Sequence, residues 1–562
     1  MHFSIGRFRG VPKAPRLRNL NIYLWLCFIG FLYASVQIFT IPQSLEQGLQ
    51  RLFSNYSSSS MDGFQRFSNY SSPSMDEFLY SLLKIDPSVF KPAKLSSDEM
   101  AAQVEKKTPN LPFRFWLEVK GQDKSKNASC AKFPSLYDLK YVNIHWQEVQ
   151  TVDGPYYLFG AYFDNRTLAK DAPTVRLVGL IAKMNRKATL FCQLWFREHK
   201  EPAFAPVSDH THLSISGGGV YKDGIIQPYM FSCPVPDEYK HTVPQAVSVV
   251  ENPCDMATTN LKVNYILPPS GQKEGFAVCV KGVSLPFNDY SVRLIEWLEL
   301  LFILGVDKVF LYNFDMHPNV TKVLSYYEGQ GRVEITNLPL PGRQPSAFGL
   351  MNMFLKFIGV IKEHQETIPY NDCYLKNIYR YKYISALDID EIIIPKVTSS
   401  WGTLMESIVT EALRDSQLPP SNYVFRNVYF LDDMGHSNET VPNIPRYMHM
   451  LQHLYRSPIY TKPGHYIKSL FDTERVLTIH NHYPFTCIGG NCWSYNVNTS
   501  AAHLQHYRHY CVPELASVCE KEYKNNSVLD ESILKFKEPL ILGVAKTMMK
   551  LGFINSSSYM LK

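Results

Sequence analysis

Two carboxylates two residues apart, Asp388 and Asp390, lie inside Tyr383-Ile-Ser-Ala-Leu-Asp-Ile-Asp-Glu-Ile-Ile-Ile-Pro395. The apolar β-formers around them read as a buried strand that reaches the rim of a sheet. On an extended segment residues i and i+2 share a face, so both carboxylates can converge on one cation. Buried carboxylates without a counter-charge are costly, which implies a divalent metal or a polar ligand. Later segments offer partners. Tyr429-Phe-Leu-Asp-Asp-Met-Gly435 places adjacent acids, Asp432 and Asp433, after an aromatic strand. Lys468-Ser-Leu-Phe-Asp-Thr-Glu-Arg-Val-Leu-Thr-Ile-His480 carries Glu474 and runs on to His482, and Leu504-Gln-His-Tyr-Arg508 carries His506 and Arg508. An imidazole at 480, 482 or 506 can ligate a metal, or pack as a hydrogen-bonded core histidine. Arg508 reads as a phosphate clamp or an exposed charge, and the two adjacent aspartates as acids or the start of a turn.

The elements that must position these groups alternate in type from Gly275 onward. Ala277–Lys281, Lys308–Tyr312 and Arg332–Thr336 read as strands; Tyr290–Leu304, Val320–Tyr327 and Ser346–Lys362 read as helices. Such alternation specifies an α/β domain with a mainly parallel sheet, whose ligands bind beyond the carboxyl ends of the strands. Lys281, Asn313, Asp315, Asp388 and Asp390 all fall at that rim. No glycine-rich phosphate loop follows the first strand, so a nucleotide would be held by metal and strand-end side chains. Residues 112–268 show short extended runs separated by turn clusters, as in an all-β sandwich that binds glycan or braces the next domain.

Ile22–Ile41 contains twenty residues and no charge, about the length that crosses a ~30 Å hydrocarbon core. Arg7, Arg9, Lys13, Arg16 and Arg18 precede it without an acid, which predicts a cytosolic tail (1–21) and a single-pass signal anchor (22–41). Residues 42–111 read as a stem, because Phe53-Ser-Asn-Tyr-Ser-Ser58 recurs as Phe67-Ser-Asn-Tyr-Ser-Ser72 in a Ser-rich context. Ten of the 11 cysteines and nine Asn-x-Ser/Thr acceptors lie beyond the apolar span, which predicts disulfides and a non-cytosolic address. Removing the five tail cations from the 57 Lys and Arg leaves 52 against 51 acids. That balance argues against a nucleic-acid partner.

The run from about Phe276 to Arg508 resembles glycosyltransferase family 92. The resemblance rests on Gly305-Val-Asp-Lys-Val-Phe-Leu-Tyr-Asn313, Asn371-Asp-Cys373, Leu387-Asp-Ile-Asp-Glu391, Val476-Leu-Thr-Ile-His-Asn-His482 and Leu504-Gln-His-Tyr-Arg508. Ile392 departs from it, since many members carry an aromatic residue there. The resemblance implies a GT-A-like domain at 269–540, followed by a short C-terminal tail (541–562), in a Golgi type II membrane enzyme. It also implies inverting transfer of a hexose, galactose first, from a UDP-sugar to a glycan or glycoprotein acceptor such as fucose on an N-glycan core.

On that reading a divalent cation, manganese or another, is held by Asp390 with Asp388, and by His480 or His506. Lys281, Asn313, Asp388 and Arg508 meet the donor. Asp433, then Asp432, then Glu474, would deprotonate the acceptor hydroxyl. A metal-dependent glycan or phosphodiester hydrolase, or a non-catalytic glycan-binding membrane protein, would share many of these features.

Overall fold

The computed structural model describes residues 95–554, apart from 121–129, 144, 170, 172, 184–185, 214–224, 343, 358, 417, 435–439, 512–515 and 525. The expected anchor, basic tail and duplicated segment lie outside the described residues. Among those described, no helix is long and apolar enough to cross a membrane.

Folded structure begins earlier than the stem reading placed it. Helix α1 (Ser97–Lys107) opens on a capping box in which Ser96 and Glu99 satisfy each other's backbone N–H. Its Lys106 reaches Glu328 at 3.4 Å. After α2 (Phe113–Lys120) come β1 (Gln147–Thr151), β2 (Gly154–Asp164), β3 (Thr174–Ile181), β4 (Phe191–Trp195), β5 (Ala203–Pro206), β6 (Asp209–His212), β7 (Gln227–Pro234), β8 (Ala246–Val250) and β9 (Leu261–Asn264). They form one continuous nine-stranded sheet in the order β5-β4-β8-β9-β2-β3-β7-β6, with β1 on β2. Its two halves enclose Leu158, Leu177, Leu194 and Val247, and Cys192–Cys233 ties β4 to β7 across that core. Strand β3 is buried along its whole length because its other face is covered as well. Phe159 and Tyr162 of β2 and Val178 of β3 share a cluster with Phe310, Tyr312 and Tyr374 of the next domain.

That domain contains β10 (Glu274–Leu285), α3 (Ser291–Ile303), β11 (Lys308–Met316), α4 (Pro318–Gly329), β12 (Val333–Asn337), α5 (Leu350–Phe357), α6 (Gly359–Asn377) and β13 (Tyr381–Ala386). There follow β14 (Glu391–Pro395), α7 (Trp401–Asp415), β15 (Asn422–Phe425), β16 (Asn427–Leu431), α8 (His449–Gln452), β17 (Tyr455–Arg456) and β18 (Lys468–Asp472). Next come β19 (Val476–Ile479), β20 (Pro484–Cys487), β21 (Ser494–Asn496), β22 (Ala502–Arg508) and α9 (Lys537–Lys550). The main sheet runs β12-β11-β10-β13-β18-β15-β21. Its first four strands are parallel, and β18 is antiparallel to both neighbours. The mixed α/β class is therefore as the alternation indicated. A separate sheet, β14-β22-β16, adjoins it.

Three local readings change. The helix expected at 346–362 is two helices, and α6 continues to Asn377 through Pro369. Its polar stretch is stable as helix because tertiary partners satisfy it. Asn371 exchanges hydrogen bonds with the backbone of Ile479 at 2.9 Å each, and buried Asp372 accepts from the hydroxyls of Tyr162 and Tyr312. The segment from 541, read as a tail, belongs largely to α9, which buries Leu540, Val544 and Met548 in the α/β core. Finally, strand β13 ends at Ala386, so Asp388 and Asp390 lie in the turn leading to β14 and not on extended backbone. All ten cysteines beyond the apolar span are paired, as 130–254, 192–233, 279–373, 487–492 and 511–519.

Candidate active site

The rim position of Asp388 follows from register. Cys279 of β10 pairs with Ala386 of β13, and Leu387 N–H bonds to Cys279 O at 3.2 Å. Two residues further along β10, Lys281 is the extra residue of a β-bulge, between Val280 opposite Leu311 and Gly282 opposite Tyr312. A bulge re-aims its side chain. The Lys281 ammonium faces Asp388 Oδ1 at 3.1 Å and Glu366 Oε1 at 3.5 Å. On the other side of β13, fully buried Lys468 of β18 faces Asp388 Oδ2 at 3.2 Å and Glu391 Oε2 at 2.8 Å. Burial alone would raise the Asp388 carboxyl, but Lys281 and Lys468 hold it well below the usual carboxylate range. Burial alone would lower both ammonium groups, yet the carboxylates beside them push them up.

Asp390 has different company. Strand β22 pairs antiparallel with β14, which sets His506 opposite Glu391. Its Nε2 is 3.5 Å from Asp390 Oδ2 and its Nδ1 is 3.4 Å from Glu391 Oε1. Burial opposes the charge on His506, but Glu391 and Asp390 raise its pKa. The Asp390 side chain is 42% exposed against 16% for Asp388. The two carboxylates therefore do not converge on a common point. One is neutralised by lysines, and the other looks outward beside an imidazole.

A cavity of about 330 Å³ opens over this rim, within the range of small-ligand sites. Asp388, Asp390, His506 and Arg508 line it, as do Lys281 and Glu366. Further cations, Arg293, Lys356 and Lys362, face it together with His449.

The remaining sequence candidates fall elsewhere. Asn313 lies within β11 opposite Asn337, the last residue of β12, and donates to Asn337 Oδ1 at 2.9 Å, outside the cavity lining. His480 packs on Tyr483 and Phe485, and burial lowers it to about 3. It too is absent from the lining. Asp433 pairs with Lys524 at 2.6 Å. Glu474 is ion-paired with Lys273 toward the opposite end of the strands, because β18 runs antiparallel to β13 and brings Asp472 opposite Tyr383, near the amino end of β13. Asp432 is linked to the cavity only indirectly, through His449 and Arg293. None of the three carboxylates expected to act as base lines the cavity.

Sequence reasoning missed Lys468, Glu391, Asn481 and His449. Lys468 had a usable signal, since a lysine opening a strand that runs on into Leu470 and Phe471 needs a counter-charge if it is buried. Asn481, between the two histidines that drew notice, accepts from the Lys468 ammonium. His449 and His453 carried i, i+4 spacing.

Residues 274–540 match the model for Glycosyltransferase family 92. The Beta-1,4-galactosyltransferase galt-1 of Caenorhabditis elegans is 21% identical over 261 residues, 45% of this chain and 54% of the relative. The chain thus spans about half the length of that relative. Among solved structures, S. aureus TarS 1–349 is 12% identical, with 51% of this chain and 75% of that one covered at a TM-score of 0.20. The WbbM bifunctional glycosyltransferase is 10% identical, with 30% and 26% covered at 0.15. At such scores neither structural likeness bears on fold or ligand. Over residues 274–540, just under half of its length, this chain is therefore similar to glycosyltransferase family 92.

Proposed function

We propose that this domain transfers a hexose, galactose first, from a UDP-sugar to a glycan acceptor, with inversion and with manganese or a similar divalent cation. One observation carries the reading. Asp390 and His506 present a carboxylate oxygen and an imidazole nitrogen 3.5 Å apart to a cavity with cationic walls. That donor pair fits a manganese-class ion, and two protein ligands leave coordination positions for donor phosphates and water. The contact between His506 Nδ1 and Glu391 supports it, since metal-binding imidazoles commonly give their second nitrogen to a carboxylate. Asp388 is unsuited to direct ligation because each of its oxygens faces an ammonium group. When bound, the cation neutralises charge developing on the leaving diphosphate.

The chain's own residues supply the rest. Lys281 and Lys468 keep Asp388 ionised and fixed at the rim, where it can accept a hydrogen bond from the donor ribose. Arg508, Arg293, Lys356 and Lys362 form the positive walls a diphosphate requires. The Asp-x-Asp turn at the carboxyl ends of parallel strands supports a GT-A-like arrangement. The galactosyltransferase relative supports galactose, and the family resemblance suggests fucose on an N-glycan core as acceptor. Residues 22–41 would anchor the chain in the Golgi membrane with this domain luminal, and five disulfides are consistent with an oxidising compartment.

The test is transfer from UDP-galactose to a fucosylated N-glycan core by the full-length chain, with manganese and then EDTA. Asp390→Asn should reduce transfer by roughly 100-fold or more, as loss of one transition-state stabiliser does, with the thermal midpoint retained. Undiminished transfer in that variant refutes the assignment of Asp390. Release of sugar from the donor at the same rate without acceptor would instead favour a hydrolase.

A further inference from the structure

The loop after β16 and the short helix α8 bring together side chains that the donor site does not use. Asp432 Oδ1 is 3.1 Å from His449 Nε2 and 3.4 Å from His453 Nε2. The three ligand atoms lie within 4.8 Å of one another. One imidazole's tautomer can be read directly. His453 Nδ1 is 2.6 Å from the carbonyl oxygen of His449, which can only accept, so Nδ1 carries the proton. In a neutral ring that leaves a lone pair on His453 Nε2, aimed at a carboxylate oxygen. Two acceptors facing each other at this distance repel unless a positive charge stands between them.

The surroundings supply the rest of a built site. The other carboxylate oxygen, Oδ2, takes His509 Nδ1 at 2.7 Å and Arg293 at 3.7 Å, leaving Oδ1 to the two imidazoles. Such a split, with one oxygen inward and the other held by outer groups, is how ligating carboxylates are oriented. Helix α8 is fixed from below by buried Glu296. It accepts the N–H of His449 at 2.6 Å, of Met450 at 3.0 Å and of Leu451 at 3.3 Å. Both histidines are thus carried by a segment with a defended position, as a preformed site needs.

We propose that Asp432, His449 and His453 form a second divalent-cation site in the cavity wall, separate from the Asp390–His506 pair. Two imidazoles and one carboxylate suit ions of the zinc class over magnesium or calcium. Since His449 also lines the cavity, the ion would sit in the wall with positions open toward it. The site does not depend on the donor reading, and it takes Asp432 out of contention as a free base.

The test uses full-length chain carrying Asp390→Asn and His506→Asn, stripped with EDTA and titrated with Zn²⁺ alone by calorimetry. Co²⁺, followed by its visible absorption, serves as the second probe. This parent should still bind zinc. Adding His453→Asn should weaken binding by more than the roughly 10–100-fold that loss of an outer partner costs, and His509→Gln by about that amount. No zinc binding by the parent overturns the proposal, as does affinity unchanged by His453→Asn. Should the His453 variant fail to fold, His509→Gln decides, and unchanged affinity there also overturns it. Loss of transfer with retained zinc binding in the parent would concern the donor site alone.

Discussion

Replacing Lys468 by methionine tests whether the ion network under Asp388 is as tightly balanced as its geometry indicates. The ammonium is fully buried and shared between Glu391 at 2.8 Å and Asp388 at 3.2 Å. Methionine keeps most of the volume, so the loss is electrostatic and not a cavity. Its removal leaves two carboxylates with one lysine, Lys281, whose side chain is 27% exposed. Breaking a buried pair by deleting one partner typically costs about 3–5 kcal/mol, since the remaining charge stays desolvated. Reporters stand on the spot. Trp297 donates to the Glu391 carbonyl at 2.7 Å and Trp401 to that of Ile393 at 2.9 Å, so tryptophan emission will follow unfolding of β14. Denaturant titration of Lys468→Met should show a loss of about 3–5 kcal/mol. The double variant Lys468→Met/Glu391→Gln should recover part of it, with a coupling of about 1–3 kcal/mol. A single-variant loss below about 1 kcal/mol, or strict additivity in the double, would refute the balance described.

Two further outcomes follow from other parts of the domain. Burial would raise the carboxyl of Glu334, but Lys376 at 2.9 Å and Lys308 at 3.1 Å bring it down to about 2 from an ordinary 4.5. A depressed carboxyl stabilises the fold above its unfolded pKa and loses that contribution as pH falls. Glu334→Gln should therefore flatten the stability decline between about pH 4.5 and pH 2, removing at most roughly 3 kcal/mol at neutral pH, and an unchanged acid limb would contradict this. At Gly282, a Cβ would stand 1.8 Å from Phe314 Cε2, a ring with little room to withdraw. Gly282→Ala should cost about 1–3 kcal/mol in thermal stability and also reduce transfer, because the bulge that aims Lys281 must shift; a silent substitution would show that the bulge is not constrained by this contact.

Much of the candidate site was legible in local pattern, and the reason is periodicity. The βα alternation from residue 275, the end of helix α3 at Gly305, and the position of Asp388 and Asp390 at a strand end are encoded within windows of a few residues. Element boundaries failed where burial of polar residues depended on distant partners. The expected helix stopped at Lys362, short of Asn371 and Asp372, because Ile479, Tyr162 and Tyr312 supply the hydrogen bonds of that polar stretch from far along the chain. Residues 541–550 looked like a tail because their amphipathic stripe means little without the core it enters.

The sequence by itself determined the chemical inventory: paired acids at the rim of an α/β sheet, histidines and an arginine following them, and an even set of cysteines beyond an apolar span. The tertiary structure decided which acid does what. Asp388 and Lys468 are 80 residues apart, and β18's antiparallel entry beside β13 is what joins them. The same strand direction sends Glu474 toward the opposite end of the strands, while the β14–β22 register gives His506 to Asp390 and not His480. Charge pairing depends on sheet order and register across long separations, and neither is written in any local period of the chain.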